Sequence, residues 1–147
     1  MKTFTTYSIR LVKEKAARYD IAKKINSPSE VWKIATEILH LHEMSEEVFS
    51  IITLSTKNEV TGLFEVSRGT VDSSLVHPRE VFKRALLSNA SSILLLHNHP
   101  SGDPKPSPED IRVTKRLKDA GELLGIQVLD HVIIGDEYFS LKEKDMM

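Results

Sequence analysis

The chain contains no cysteine. Disulfides and thiolate–metal sites are therefore excluded, and any bound metal must use histidine, aspartate or glutamate. The absence of cysteine suits a reducing compartment, and we expect a cytoplasmic protein. The longest apolar runs, around ILLL and VII, are too short to span a bilayer, and MKTFTTYSIR has no apolar core of a signal peptide. We therefore expect no membrane partner.

Net charge is also nearly absent, at −1. No overall field therefore directs the protein to nucleic acid or to a membrane surface. The charge is uneven, however, because residues 1–24 carry Lys2, Arg10, Lys13, Lys15, Arg18, Lys23 and Lys24 against Glu14 and Asp20. A solvated basic surface is the simpler interpretation, and a weak nucleic-acid patch is the alternative.

The length of 147 residues and the hydrophobic content of 40% predict one globular domain over residues 1–147. Residues 1–26 form an N-terminal extension in which TYSIRLVKE alternates loosely, as an edge strand does. A helix is predicted over NSPSEVWKIATEILHLHEM, with Ser27 as N-cap and Glu30 closing a capping box. Its apolar stripe is Val31, Ile34, Ala35, Ile38 and Leu41.

The remaining elements alternate between strands and helices. EVFSIITLSTKNEVTGLFEVS predicts a β-hairpin, residues 68–76 a loop, and HPREVFKRALLSNA a helix capped by His77. SSILLL predicts a buried strand, and IQVLDHVIIG with EYFSLKE predicts a closing strand–turn–strand. A third helix runs from Ser107 to Gly125, with Ile111, Leu117, Ala120 and Leu124 facing inward. This order predicts an α/β fold with helices flanking one mixed sheet.

Two histidines at the end of the buried strand carry the chemistry. In extended backbone, residues i and i+2 share a face, so His97 and His99 can bind one metal ion while Asn98 points away. Asp110, in the first turn of the next helix, can reach back toward them. His40-Leu41-His42 has the same spacing on a helical pattern, where positions two apart differ by about 200°. That pair is therefore interpreted as surface or packing residues.

The role of Ser107 and Asp110 has two interpretations. The segment Ser107-Pro108-Glu109-Asp110 resembles Ser27-Pro28-Ser29-Glu30 and could be a capping box alone. The histidine pair favours the other interpretation, in which Asp110 is a ligand that faces His97 and His99 and not the amide of Ser107.

Three protein ligands leave a position for water, and zinc lowers the pKa of such a water to about 7. A carboxylate base is then needed, with Glu43, Glu46 and Glu47 as candidates, and a donor such as Ser107 can face the developing oxyanion. Glu47 begins a strand that would hold it rigidly, although a solvent-facing carboxylate is the alternative.

These residues match a known pattern. His97-Asn98-His99-Pro100 followed by Ser107 and Asp110 fits His-x-His-x7-Ser-x-x-Asp, and the chain resembles the JAB/MPN metalloproteases that carry this JAMM motif. It is most similar to their bacterial RadC-like branch, also through GTVDSSLVHPREVFKRAL, LSTKN and VLDHVIIG, over roughly residues 28–144.

The resemblance implies a cytidine-deaminase-like fold and one zinc ion per chain, held by His97, His99 and Asp110. It implies Ser107 as the oxyanion donor and Glu47, in an E-x-F strand start, as the base. The implied reaction is hydrolysis of peptide or isopeptide bonds in a peptide or protein substrate.

Several alternatives stay open. Longer RadC proteins carry a helix-hairpin-helix region for which this chain has no room, and a non-catalytic or DNA-associated module linked to DNA repair is the second functional hypothesis. A nucleoside-type deaminase would need a Pro-Cys-x-x-Cys segment that a chain without cysteine lacks. His131 is either a hydrogen-bonded sheet histidine or a partner of the metal or substrate site. Hairpin edges and Trp32 make a homodimer conceivable.

Overall fold

One mixed sheet carries the fold of this chain, in a computed structural model that describes residues 1–70 and 76–147. Its strands are β1 (Val48–Leu54), β2 (Val60–Arg68), β3 (Ser92–Asn98), β4 (Gln127–Ile134) and β5 (Tyr138–Ser140). The helices are α1 (Pro28–Lys33), α2 (Pro78–Leu87) and α3 (Pro108–Leu124). The sheet order is β2-β1-β3-β4-β5, with β3 parallel to β4 and the other neighbours antiparallel. The predicted α/β class is confirmed, and most of the loop predicted over 68–76 lies outside the described residues.

Both faces of the sheet are covered. Phe49, Ile51, Ile93 and Leu95 pack with residues of α2 and α3, including Phe82 and Leu117. On the opposite face, Ile52, Leu54, Leu94 and Leu96 pack with Val31 and Ile34. Because side chains alternate along a strand, His97 shares the face of Ile93 and Leu95 and therefore points toward α3.

The predicted first helix ends earlier than its sequence pattern suggests. A π-helical turn over Ile34–Ile38 follows α1, and after His40 in left-handed backbone (φ 52°) a 3₁₀ turn spans Leu41–Glu43. The Thr36 hydroxyl donates to the Trp32 carbonyl at 2.8 Å and so competes with the regular backbone ladder. The expected stripe is nevertheless buried at Val31, Ile34, Ala35 and Leu41.

The edge strand predicted in TYSIRLVKE is not part of the sheet. Residues 1–20 are exposed, and backbone pairing with the start of β2 begins near Lys23, whose carbonyl accepts from Val60 at 2.8 Å. An alternating pattern permits a strand, but a strand also needs a neighbour to complete its hydrogen bonds. Within the described part of the chain, no helix combines the length and the apolar character needed to cross a bilayer.

The third helix is confirmed, with one correction to its inward face. Its buried positions include Val113, Leu117 and Gly121, whereas Leu124 is 46% exposed. The helix terminates at Gly125 in left-handed backbone (φ 72°), so its last turn already leaves the core.

Candidate metal centre

The two predicted histidine ligands lie side by side at the carboxyl end of β3. His97 is the penultimate residue of β3, and the His99 amide donates to the Ile134 carbonyl at 2.8 Å, which extends the ladder beyond the strand. Both imidazoles therefore project to the same side, with Nε2 atoms 3.0 Å apart. The extended geometry inferred from the sequence is present.

Asp110 completes the group from the first turn of α3. Its Oδ1 lies 3.2 Å from His97 Nε2, and its Oδ2 lies 3.1 Å from His99 Nε2. One ligand atom from each of the three residues lies within 4.8 Å of the others, so the group could hold a metal ion. His97 and Asp110 are buried and His99 is partly buried, which limits competition from water.

The donor set fits a divalent cation. His99 Nδ1 lies 2.8 Å from the Asp103 carbonyl, which can only accept, so Nδ1 carries a proton and the neutral ring has its lone pair on Nε2. That lone pair faces the Asp110 carboxylate, which is itself an acceptor. Neighbouring acceptors repel unless a proton or a cation lies between them. Two imidazole nitrogens with one carboxylate are a common set of zinc ligands in proteins.

The expectation that Asp110 faces the histidines and not the Ser107 amide is wrong in its second half, because Asp110 faces both. Asp110 Oδ2 accepts from the Ser107 amide at 2.8 Å while it faces His99, and Ser107 Oγ accepts from the Asp110 amide at 3.1 Å. A carboxylate offers about four lone-pair sites, so one oxygen can serve two partners. The Ser107 hydroxyl proton is not used by the cap, and Ser107 is exposed.

Charge and burial act in opposite directions on these groups. Burial would raise the pKa of Asp110, but hydrogen bonds with His97 and His99 outweigh it and hold the pKa well below its usual range. Burial would lower the pKa of His99, but hydrogen bonds to Asp110 and to the Asp103 carbonyl raise it. The centre therefore favours an ionised Asp110 with a proton or a cation beside it.

Glu47 is close enough to His99 for its negative charge to contribute to that raised pKa. It immediately precedes β1, whose register places Phe49 opposite His97, and it is half-buried. The other candidate bases have partners elsewhere: Glu46 lies 3.5 Å from Arg68, and Glu43 is 66% exposed next to His40. His40 and His42 are themselves exposed beside Glu43, as expected of surface residues.

Asn98 holds the backbone on both sides of Glu47, a role that sequence reasoning missed. Its side chain is on the sheet face opposite His97, where Oδ1 accepts from the Val48 amide at 2.7 Å and Nδ2 donates to the Glu46 carbonyl at 3.0 Å. The available signal was an amide side chain at the end of an otherwise apolar strand. The residue between the two histidines thus fixes the segment that carries the candidate base.

His131 lies in β4 next to the candidate centre and is hydrogen-bonded there, as its first interpretation predicts. Its ring is fully buried, with Nε2 2.8 Å from His97 Nδ1 and Nδ1 2.6 Å from Thr114 Oγ1. Burial lowers the pKa of His131 well below its ordinary value, so the ring is neutral. Thr114 was not singled out from the sequence, although it follows Asp110 by one helical turn and therefore shares its face.

The loop between His99 and α3 rests on the turn between β4 and β5. The Asp136 amide donates to the Gly102 carbonyl at 2.7 Å, and the Gly102 amide donates to the His99 carbonyl at 3.0 Å. A Cβ atom at Gly135 would overlap the Gly102 carbonyl, so glycine is required for this approach. The contact fixes the loop that presents the Asp103 carbonyl to His99.

Comparison with known proteins agrees with this arrangement. Residues 25–146 match the family model described as a RadC-like JAB domain. A UPF0758 protein of Desulfitobacterium hafniense (strain DSM 10664 / DCB-2) is 54% identical over 124 residues, which is 84% of this chain and 54% of the relative. A UPF0758 protein of Alkaliphilus metalliredigens (strain QYMF) is 54% identical over 125 residues, covering 84% and 53%. The chain thus spans about half the length of these relatives.

Proposed function

Because this chain belongs to the RadC-like JAB domain family, we propose that it is a zinc-dependent hydrolase of peptide or isopeptide bonds. His97, His99 and Asp110 would hold the ion. The convergence of these three acceptor groups beside Glu47 is the observation that carries the proposal. The family is usually hydrolytic, which agrees with it.

The bound ion would supply Lewis acidity, which acidifies a water molecule and polarises the carbonyl group that the water attacks. Three protein ligands are typical of zinc sites that act on water. The Glu47 carboxylate would accept a proton from the attacking water and return it to the leaving amine. The amine then departs as a neutral group, and the acid product retains the oxygen of the water.

Ser107 would stabilise the negative charge that develops on the carbonyl oxygen. Its oxygen accepts from the Asp110 amide, and its O–H proton can be donated to the substrate. The N-terminus of α3, where Ser107 lies, also favours negative charge. Asn98 would keep Glu47 at a fixed distance from this position through its bonds to Val48 and Glu46.

The test compares Glu47→Gln with wild type for zinc content and for cleavage of a peptide library. We expect equal zinc and a rate about 10²–10⁴-fold lower in the variant, because general base catalysis is removed while the ligands stay. Glu46→Gln is the matched control, since that neighbouring carboxylate is exposed and paired with Arg68. Its cleavage rate should equal that of wild type.

Two results would contradict the proposal. One is undiminished cleavage by Glu47→Gln, which would assign the activity to another group or to a contaminant. The other is stoichiometric metal in wild type without turnover on the library or on isopeptide-linked substrates, which would favour a binding module. A gel-shift series across salt concentrations then tests the nucleic-acid alternative through the exposed basic residues of 1–24.

A further inference from the structure

A continuous set of hydrogen bonds joins His97 to the backbone of Asp110 through two residues that are not candidate ligands. Thr114 Oγ1 lies 2.7 Å from the Asp110 carbonyl and 2.6 Å from His131 Nδ1. Each contact needs a proton, and the carbonyl has none to give. The single hydroxyl proton of Thr114 is therefore donated to Asp110, and the proton of the second contact belongs to His131 Nδ1.

The proton position on His131 determines that on His97. A neutral imidazole has one N–H and one lone pair, so a proton on His131 Nδ1 leaves its Nε2 as an acceptor. His97 Nδ1, 2.8 Å away, must then be the donor. When the His97 ring is neutral, its lone pair is therefore on Nε2, which faces His99 and Asp110.

Water has little access to this chain of bonds. His97 and His131 are 0% exposed and Thr114 is 1% exposed, so these side chains are shielded from bulk solvent. Phe49 restrains both rings, since it stacks on His97 at 6.0 Å and meets the edge of His131 at 5.5 Å. These ring contacts limit the rotation of both imidazoles.

The two histidine ligands are oriented by different means. His99 is bonded to the Asp103 carbonyl, which accepts under all conditions and fixes the proton by itself. His97 is bonded to another imidazole, which can donate or accept. We propose that the Thr114 hydroxyl determines which nitrogen of His131 carries the proton. Thr114 and His131 are then positioning residues that keep the His97 Nε2 lone pair available to the metal. This inference rests on the metal site of the proposed function.

The test uses Thr114→Val, which keeps the shape of the side chain and removes the hydroxyl, with Thr114→Ser as the control that retains it. Zinc affinity is measured by competition with a chromophoric chelator. We expect Thr114→Val to bind zinc about 10–100-fold more weakly than wild type, as is typical when a partner of a metal ligand is lost. Thr114→Ser should stay close to wild type.

A second measurement reads the protons directly. The ¹⁵N resonances of the imidazoles in the metal-free protein distinguish a protonated nitrogen from one with a lone pair. In wild type, His97 and His131 should both be protonated at Nδ1, and in Thr114→Val this order should be lost. Thermal unfolding of the metal-free variants checks that neither substitution has simply disrupted the fold.

The outcomes separate this inference from the proposed function. Wild-type zinc affinity in a folded Thr114→Val variant would overturn the inference and leave the metal site intact. A lone pair on Nδ1 of either His97 or His131 in wild type would also overturn it. If wild type binds no divalent metal, the proposed function fails, while the ¹⁵N spectrum still decides the proton order. If Thr114→Val does not fold, the wild-type spectrum still tests the inference. Protons on Nδ1 of both His97 and His131 would support it, and a lone pair on either Nδ1 would overturn it.

Discussion

At the scale of single residues, side-chain type and spacing were sufficient to select the group at the centre. His97, His99 and Asp110 were singled out because strand periodicity and a helix start bring them to one point. Asp103 and Thr114 could not be found in this way. Asp103 acts through its backbone carbonyl, which every residue has, and Thr114 acts through a contact with a residue of another element.

Ser107 combines a structural and a proposed chemical role, and these can be measured separately. Ser107→Ala should lower the free energy of unfolding by about 0.5–2 kcal/mol, because the N-cap oxygen of α3 is lost. It should also lower the cleavage rate about 10²–10³-fold, because the oxyanion donor is lost. Chemical denaturation and single-turnover kinetics provide the two readouts.

Ser27 supplies the comparison, since it is the N-cap of α1 in the same Ser-Pro sequence context. Its hydroxyl contacts Ser29 at 2.8 Å, and Ser27→Ala is expected to leave the cleavage rate unchanged. Equal rates in Ser107→Ala and wild type would show that the Ser107 hydroxyl is a cap and nothing more.

At the scale of elements, the order of strands and helices followed from the pattern, but their ends depended on side-chain competition. The first helix gives way to a π-helical turn where Thr36 bonds to the Trp32 carbonyl. In β4, the register shifts so that Val128 pairs with Ile93 but Asp130 pairs with Leu94. The alternation of apolar and polar residues in the sequence does not reveal such a bulge, in which one strand carries an extra residue.

The contact between the β4–β5 turn and the His99–Ser107 loop leads to an element-scale prediction. Gly135→Ala should displace the loop, because the new Cβ would overlap the Gly102 carbonyl. We expect a loss of about 1–3 kcal/mol in stability, as in other overpacked sites. We also expect weaker zinc binding, because the Asp103 carbonyl that orients His99 moves with the loop.

Gly125→Ala is the control for that prediction. It strains a left-handed residue (φ 72°) at the opposite end of α3, where an added Cβ meets nothing within 4 Å. It should reduce stability and leave zinc affinity unchanged. Equal loss of affinity in both variants would mean that affinity follows general stability and not the position of the loop.

At the scale of the whole molecule, the predicted mixed sheet with helices on its faces is the fold observed, whereas the N-terminal segment was wrongly placed within it. The interior strands follow from apolar runs that can only be buried, as in SSILLL. TYSIRLVKE alternates loosely between apolar and polar residues, yet it is exposed. Periodicity describes which face a strand could bury, but it does not supply the neighbour that would cover that face.

The location of β3 has a consequence for how the protein opens. This strand is paired on both edges and buried at every position, so its amides should exchange with solvent only when the whole domain unfolds. Residues 99–107 lie beyond the end of β3 and are mostly exposed or partly buried, so we expect their amides to exchange faster than those of β3. His97 thus lies in the strand whose amides we expect to exchange most slowly. His99 lies in the segment whose amides we expect to exchange faster.

Hydrogen exchange before and after treatment with EDTA measures this difference. Removal of the metal should leave the β3 amides protected and should accelerate exchange in residues 99–107, because His97 keeps its place while His99 loses its anchor. Joint loss of protection would instead mean that the metal and the fold are one cooperative unit. The expected result is a histidine that stays in place without the ion, beside a loop whose protection depends on the ion.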